Sequence, residues 1–277
     1  MRTLKRTCWL VLPGLLLAAP ALAGERTWPA TGLSAVELLT TSADLELRGW
    51  DHPEVKLESE EAGRVGDESQ AGVLKLRGDV DLVLYLPAGL KVGVQGVSGD
   101  VRVRGLGGRL RVQTVSGDVA VDGAGQGLEV ITVSGDVEAQ RVRGEVLLKT
   151  VSGEQSVADL SGERLEASSV SGEIRVRAAE LRELRVKSHS GDVDFDGRLD
   201  PGGQARLSSF SGDVRVNLPR GSGFELEAET TSGEIRVAGE LVWSERSAER
   251  AVGRCGAGGT ELRLSSRSGD LVVRVGD

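Results

Sequence analysis

Aromatic residues make up only 3% of this 277-residue chain: four Trp, three Phe and one Tyr. Such a chain cannot build an aromatic core, and it offers few platforms on which sugar rings could stack, which weighs against a carbohydrate-active enzyme. Histidine is scarcer still, with His52 and His189 alone. No G-x-S-x-G elbow, H-E-x-x-H pair, paired cysteines or phosphate-binding glycine loop entering a helix is present, so the usual sequence marks of hydrolase, zinc and nucleotide chemistry are missing. His189 stands in SHSGD beside Ser188, Ser190 and Asp192. Neighbours on a strand alternate faces, so this adjacency does not assemble a Ser-His-Asp triad.

Basic residues are also in deficit, with 34 Lys and Arg against 42 Asp and Glu. They are interspersed with acids rather than gathered into a patch, which excludes nucleic acid as a partner because counterion release has no source. Long apolar runs are absent except at the start. There Arg2, Lys5 and Arg6 precede an apolar stretch from Cys8 to Ala19 and a small-residue Ala21-Leu22-Ala23 site, the order of an export signal. Pro13 and Gly14 interrupt that stretch, and it falls short of the roughly 20 residues a bilayer span needs. Residues 1–23 are therefore expected to be a signal peptide, with the mature chain starting at Gly24 at a net charge of 31 − 42 = −11. Its destination would be the periplasm, the cell surface or the medium. Removal of Cys8 with the signal leaves Cys255 unpaired in GRCGAGG, to be buried as a small apolar side chain at a strand start or to pair between chains.

Glycine, by contrast, is abundant at 39 residues, about twice its usual share. Much of it follows a repeat. In one repeating frame, Ser-Gly followed by Asp or Glu recurs at Ser98, Ser116, Ser134, Ser152, Ser171, Ser190, Ser211, Ser232 and Ser268, at steps of 18, 18, 18, 19, 19, 21, 21 and 36. A nearly constant step that drifts by single residues suits stacked coils, with extra residues absorbed in turns. Around each serine, inward positions alternate: Leu110, Val112, Thr114, Ser116, then Val119 and Val121. The frame recurs as Leu128, Val130, Thr132, Ser134, Val137, Ala139 and as Leu226, Ala228, Thr230, Ser232, Ile235, Val237. Period two means strand. Each unit thus supplies a strand, a tight turn, a shorter strand and a glycine-bearing return, and no unit closes its own core.

The fold class this predicts is all-β, a parallel β-solenoid of about nine to ten coils of 18–21 residues. Residues 24–90 are expected to form an N-terminal β cap with irregular first coils, and 91–277 the repeat domain. The 36-residue gap holds either a degenerate coil or an excursion. Ser98-Gly99-Asp100, Ser116-Gly117-Asp118, Ser134-Gly135-Asp136 and Ser152-Gly153-Glu154 are expected to be structural turns. In them glycine permits positive φ, the carboxylate bonds its own turn backbone, and inward Ser and Thr hydroxyls form columns.

Two further columns follow from the same frame. Asp100, Asp118, Asp136, Glu154, Glu173, Asp192, Asp213, Glu234 and Asp270 would line one edge, where Asp and Glu interchange freely. Calcium could bridge them, but the nonapeptide calcium-repeat signature is absent, and the acids are expected to face water. The residue before each serine points outward and runs Val97, Val115, Val133, Val151, Val170, His189, Phe210, Thr231, Arg267. Valines in line on a solvated face form either an interaction stripe or a mere consequence of β-propensity under returning loops. The Arg77-Gly78-Asp79 tripeptide reads as a turn leading into a strand.

The repeated turns, the LPRGSGFELEAETTSGEI run and the GRCGAGGTELRLSSRSGD ending resemble the bacterial putative-adhesin family, a domain of unknown function marked by TVSGDV turns. The resemblance covers most of the mature chain. It implies an extended parallel β-solenoid in exported or membrane-linked proteins, some tied to envelope stress, and it brings no catalytic residues. Cys255 departs from it, standing where an aliphatic residue is expected. The sequence therefore points to an exported, non-enzymatic binding or scaffold module needing no cofactor or metal. Its partner would be a cell-envelope component or another protein, with peripheral membrane association open. A self-assembling envelope element, pairing at uncovered end coils, is the alternative, and a carbohydrate-active β-helix enzyme the weaker third.

Overall fold

The computed structural model describes residues 24–276, so the expected signal peptide lies outside the described residues. The alternation becomes strands: in Leu110–Gln113 the Leu and Val are buried while Arg111 is exposed. Each strand pairs in parallel with its equivalent one coil away, Leu110 with both Val92 and Leu128, and Val119 with both Val101 and Val137. This is an all-β parallel solenoid. Two ladders run its length, one of strands that precede the turns and one of strands that follow them. Each holds eleven rungs, slightly more than the repeat count suggests. Leu110, Val112, Val119, Val121 and Ala124 are the inward residues of one typical coil, and burying each larger aliphatic is worth about 1.5–3 kcal/mol. Stacking is what buries them.

At both ends chain order and stack order part. Val73–Arg77 and Leu82–Pro87 form the outermost coil at one end, with Ala35–Leu39 and Leu45–Trp50 between it and the coil of Lys91–Gln95 and Val101–Leu106. At the other end Thr260–Ser268 pairs with residues 204–211 on one side and 224–232 on the other. The last coil in the chain is therefore the penultimate one in the stack, with Phe224–Ser232 and Ile235–Ala238 outside it. The long repeat gap is an excursion rather than a coil. Leu241–Arg246 and Arg250–Cys255 form an antiparallel hairpin whose second strand caps Phe224–Ser232. Antiparallel strands also close the N-terminal end, Glu54–Glu58 on Leu82–Pro87 and Glu25–Pro29 on Glu54–Glu58. The expected uncovered end coils are thus largely covered. Ile235 and Val237 remain half-buried because Ile235–Ala238 pairs on one side only. Cys255 is buried at the end of its strand, not the start, and burial pushes its thiol pKa up.

The serines of the turns are not inward, contrary to the frame above. The inward column ends one step earlier, at Thr114, Thr132, Thr150, Ser169, Ser188, Ser209, Ser266 and Thr230, all buried, while Ser116 is half-exposed and Ser134 and Ser152 are exposed. The chain must leave the core there to turn. Thr114 and Thr132 donate to the carbonyls of Ser116 and Ser134 at 3.0 and 3.2 Å, closing the turn from inside. Gln155 breaks the apolar rule of the core: it is fully buried in the column of Val119, Val137, Ile174 and Val193. Its Nε2 donates to Thr150 Oγ1 and to the Ser168 carbonyl, both at 2.8 Å.

Acid should attack the N-terminal end first. Hydrogen bonds hold four carboxyls there below their usual range: Arg48 on Glu46, Lys56 on Glu58, Trp28 Nε1 on Asp67 and the Thr41 backbone N–H on Asp79. Because their folded values lie below the unfolded ones, their contribution is complete above about pH 5 and lost as pH falls through the lowered values. Glu173, in the middle of the stack, has the opposite sign: burial raises its pKa, so protonating it does not oppose folding. Between about pH 4 and pH 2, hydrogen exchange should therefore show residues 24–90 losing protection before residues 110–190. Earlier loss in the middle would contradict this.

Candidate binding surface

Since Thr114 points inward, Val115 points out, and stacking repeats that outward position rung by rung. Ser116 N–H donates to the Val97 carbonyl at 2.8 Å, and Ser134 and Ser152 repeat the bond to Val115 and Val133. The rungs thereby run Val97, Val115, Val133, Val151, Val170, His189, Phe210, then Arg267 and Thr231. Arg267 precedes Thr231, reversing the sequence order, because the last coil is inserted. The five valines and Phe210 are each 44–49% exposed, and they are six of the seven exposed large hydrophobics among the described residues. No returning loop covers them. His189 stacks on Phe210 with ring centroids 4.8 Å apart and planes within 14°, and the Arg267 guanidinium lies over the Phe210 ring, 5.2 Å from its centroid. The ladder therefore passes from a purely aliphatic half to an aromatic and cationic end.

Beside it runs the carboxylate edge, and here the structure corrects the reading of the turn. Asp118 does not bond its own turn. Its Oδ1 accepts the backbone N–H of Asp136, one coil on, at 2.9 Å. Asp81, Asp44, Asp100, Asp118 and Asp136 each accept in this way from the next coil, as do Asp192, Asp213 and Asp270. Nor are Asp and Glu equivalent. Glu154 and Glu173 receive no such bond among the described residues, and Arg175 bridges the two instead, while Glu234 lies on the last parallel coil with nothing stacked beyond it. The bond is made by the shorter arm of aspartate alone, and the mid-stack coils that carry Glu154 and Glu173 are stacked upon without it. Glycine is required between Ser and Asp for a reason beyond φ. At Gly135 (φ +130°) an added Cβ would fall 2.2 Å from the Gly117 carbonyl oxygen, and the other glycines of the Ser-Gly-Asp and Ser-Gly-Glu turns, such as Gly117, Gly153 and Gly172, each meet a backbone carbonyl oxygen of the neighbouring coil in the same way.

The other sequence candidates do not assemble a site. Ser188 is buried while His189 points outward, and Asp192 is taken by the Asp213 N–H and Arg215, so no triad forms. His52 packs on Trp50 with centroids 4.6 Å apart. Asp79 of Arg77-Gly78-Asp79 accepts from the Thr41 backbone N–H, a structural turn. One depression gathers Asp44, Glu58, Asp81 and Arg102. Asp44 and Asp81 already accept ladder N–H groups, and Lys56 holds the Glu58 pKa down, the reverse of what a general acid requires. Among the described residues no group of three His, Cys, Asp or Glu is placed to hold a metal ion, and no helix is long and apolar enough to cross a membrane.

Residues 54–274 match the model of a family described as Toastrack DUF4097. No functionally curated protein matches the chain. Among solved structures, a "putative lipid binding protein" from Parabacteroides distasonis is 16% identical, with 91% of this chain and 96% of that one covered and a TM-score of 0.43. A "putative adhesin" from Bacteroides fragilis is 12% identical over 91% and 96%, with a TM-score of 0.38. A "putative cell adhesion protein" from Clostridium sporogenes is 11% identical over 90% and 98%, with a TM-score of 0.24. Likenesses this distant transfer no ligand.

Proposed function

The chain belongs to the Toastrack DUF4097 family, and from that premise we propose that it is an exported, non-enzymatic binding or scaffold module of the cell envelope that makes contact through its valine ladder. One observation carries this reading: nearly all the large apolar surface left exposed lies on a single line of rungs. Scattered apolar residues would need no explanation, but a contiguous line marks a contact. The ladder is rigid because each rung from Val115 to Arg267 is held between neighbouring rungs by backbone pairing, so little ordering entropy opposes recognition. In this reading residues 24–90 supply the cap and first coils and 91–277 the repeat that carries the ladder. Export would place that contact in the periplasm or on the cell surface, where a response to envelope stress could use it. The engagement of the carboxylates by ladder N–H groups favours a structural over a catalytic role for them.

The test is co-sedimentation of the purified protein with cell-wall and membrane fractions, beside a variant carrying Val115→Lys, Val133→Lys and Val151→Lys. All three positions face water, so the variant should melt like the native protein. Native protein should pellet and the variant stay in solution. Equal pelleting of both would overturn the assignment of the ladder.

A further inference from the structure

The ladder carries charge in an order that fits a reversed copy of itself. Beside Val115 and Val133, Asp118 and Asp136 make no ion pair among the described residues, whereas Asp100 is held by Arg102, Asp192 and Asp213 by Arg215, and Asp270 by Arg236. At the far end Arg267 lies over Phe210 and likewise makes no ion pair among the described residues. Six rungs separate Val115 from Arg267, about 29 Å at roughly 4.8 Å per rung.

We propose that the ladder docks a second copy of this chain, laid antiparallel with Val170 against its own equivalent. Val151 then meets the partner's His189, Val133 the partner's Phe210, and Val115 the partner's Arg267, whose guanidinium comes beside Asp118. Asp118 and Asp136 on one copy and Arg267 on the other thus supply the charge each lacks. A parallel arrangement would set Arg267 against Arg267 and leave Asp118 and Asp136 without a cation. Spacing selects the same occupant. Another solenoid repeats at the same roughly 4.8 Å, whereas same-face residues of a strand recur near 6.8 Å and helix turns near 5.4 Å, so both drift out of register. From Val97 to Thr231 the contact would be about 38 Å long and, at three residues, roughly 10 Å wide. Some 800 Å² in total is below the roughly 1,200 Å² at which stable specific interfaces begin, so the dimer should be weak and concentration-dependent.

This inference rests on the ladder being a contact surface and goes further in naming the partner. Sedimentation velocity of the purified protein from about 1 µM to several hundred µM, bracketing the weak affinities of small interfaces, should show a monomer passing to a dimer. Val170→Lys, or Val170→Thr should the lysine variant melt differently, should weaken association about tenfold, as loss of a central contact does. Arg267→Glu should weaken it similarly. Adding Asp118→Asn and Asp136→Asn to that variant should recover most of the loss, since Asn keeps the acceptor for the ladder N–H while removing the repulsion. A monomer at all concentrations, a dimer indifferent to Val170, or no recovery by the Asn pair overturns the proposal. A monomer that still pellets with envelope fractions through its valines overturns this inference alone and leaves the binding reading standing.

Discussion

Gly135→Ala should destabilise the protein by about 3–5 kcal/mol, among the larger costs of a single methyl group. The new Cβ would sit 2.2 Å from the Gly117 carbonyl oxygen and 2.8 Å from its carbon. Both are backbone atoms held in a parallel ladder on either side, so the obstacle cannot rotate away as a side chain would. Gly202→Ala is the control. It shares positive φ, at +79°, but has nothing within 4 Å of the added Cβ, so only conformational strain of about 1–2 kcal/mol remains. Urea unfolding of the two variants separates the stacking requirement from the turn requirement. Equal costs would mean that the glycine column serves the turn alone.

Val137→Asp should abolish cooperative unfolding. Val137 is 1% exposed and sits between Val119 and Gln155 in the inward column, where an ionised carboxylate would be desolvated with no cation beside it. The cost exceeds about 4 kcal/mol, a large part of the stability of a typical domain. Gln155 shows what the column does tolerate: a neutral group whose two amide hydrogens find acceptors. Val137→Ala, which only removes volume, should cost about 2–3 kcal/mol and keep a sharp transition. A melting curve unchanged by the aspartate would place Val137 outside the core and refute the register of every coil aligned with it.

Most of this register was legible because strand alternation is local. Leu110, Val112, Val119 and Val121 announce their inward face without reference to any neighbour, and Val115 announces its outward one. Stack order is not local. The inward pattern of Leu262 and Leu264 matches that of Leu226 and Ala228, so alternation alone cannot say which coil lies against Leu207, and the pairing of Arg267 with Phe210 was hidden with it. The same holds for the turn. Glycine at position 135 signals a turn in any sequence, but its collision with Gly117 exists only once the coils are stacked. Aspartate and glutamate look interchangeable until the next coil supplies an N–H that only the shorter side chain reaches. The inward threonines were legible, whereas the serines after them leave the face because the chain must turn, which a strict period of two does not foresee. Gln155 carried no signal at all, being a polar residue in a place its neighbours reserve for Val and Ile.

Contact through the exposed valine ladder, as proposed, requires that this surface be shielded whenever the partner is present. Its most direct test is carbene footprinting of the native protein, with labelling at each rung read by mass spectrometry with and without isolated envelope fractions. Labelling should fall at Val115, Val133, Val151 and Val170 together when the fractions are present, while Val242, 73% exposed on the terminal hairpin, labels as before. Unchanged labelling along the ladder, with protection elsewhere, would contradict the account.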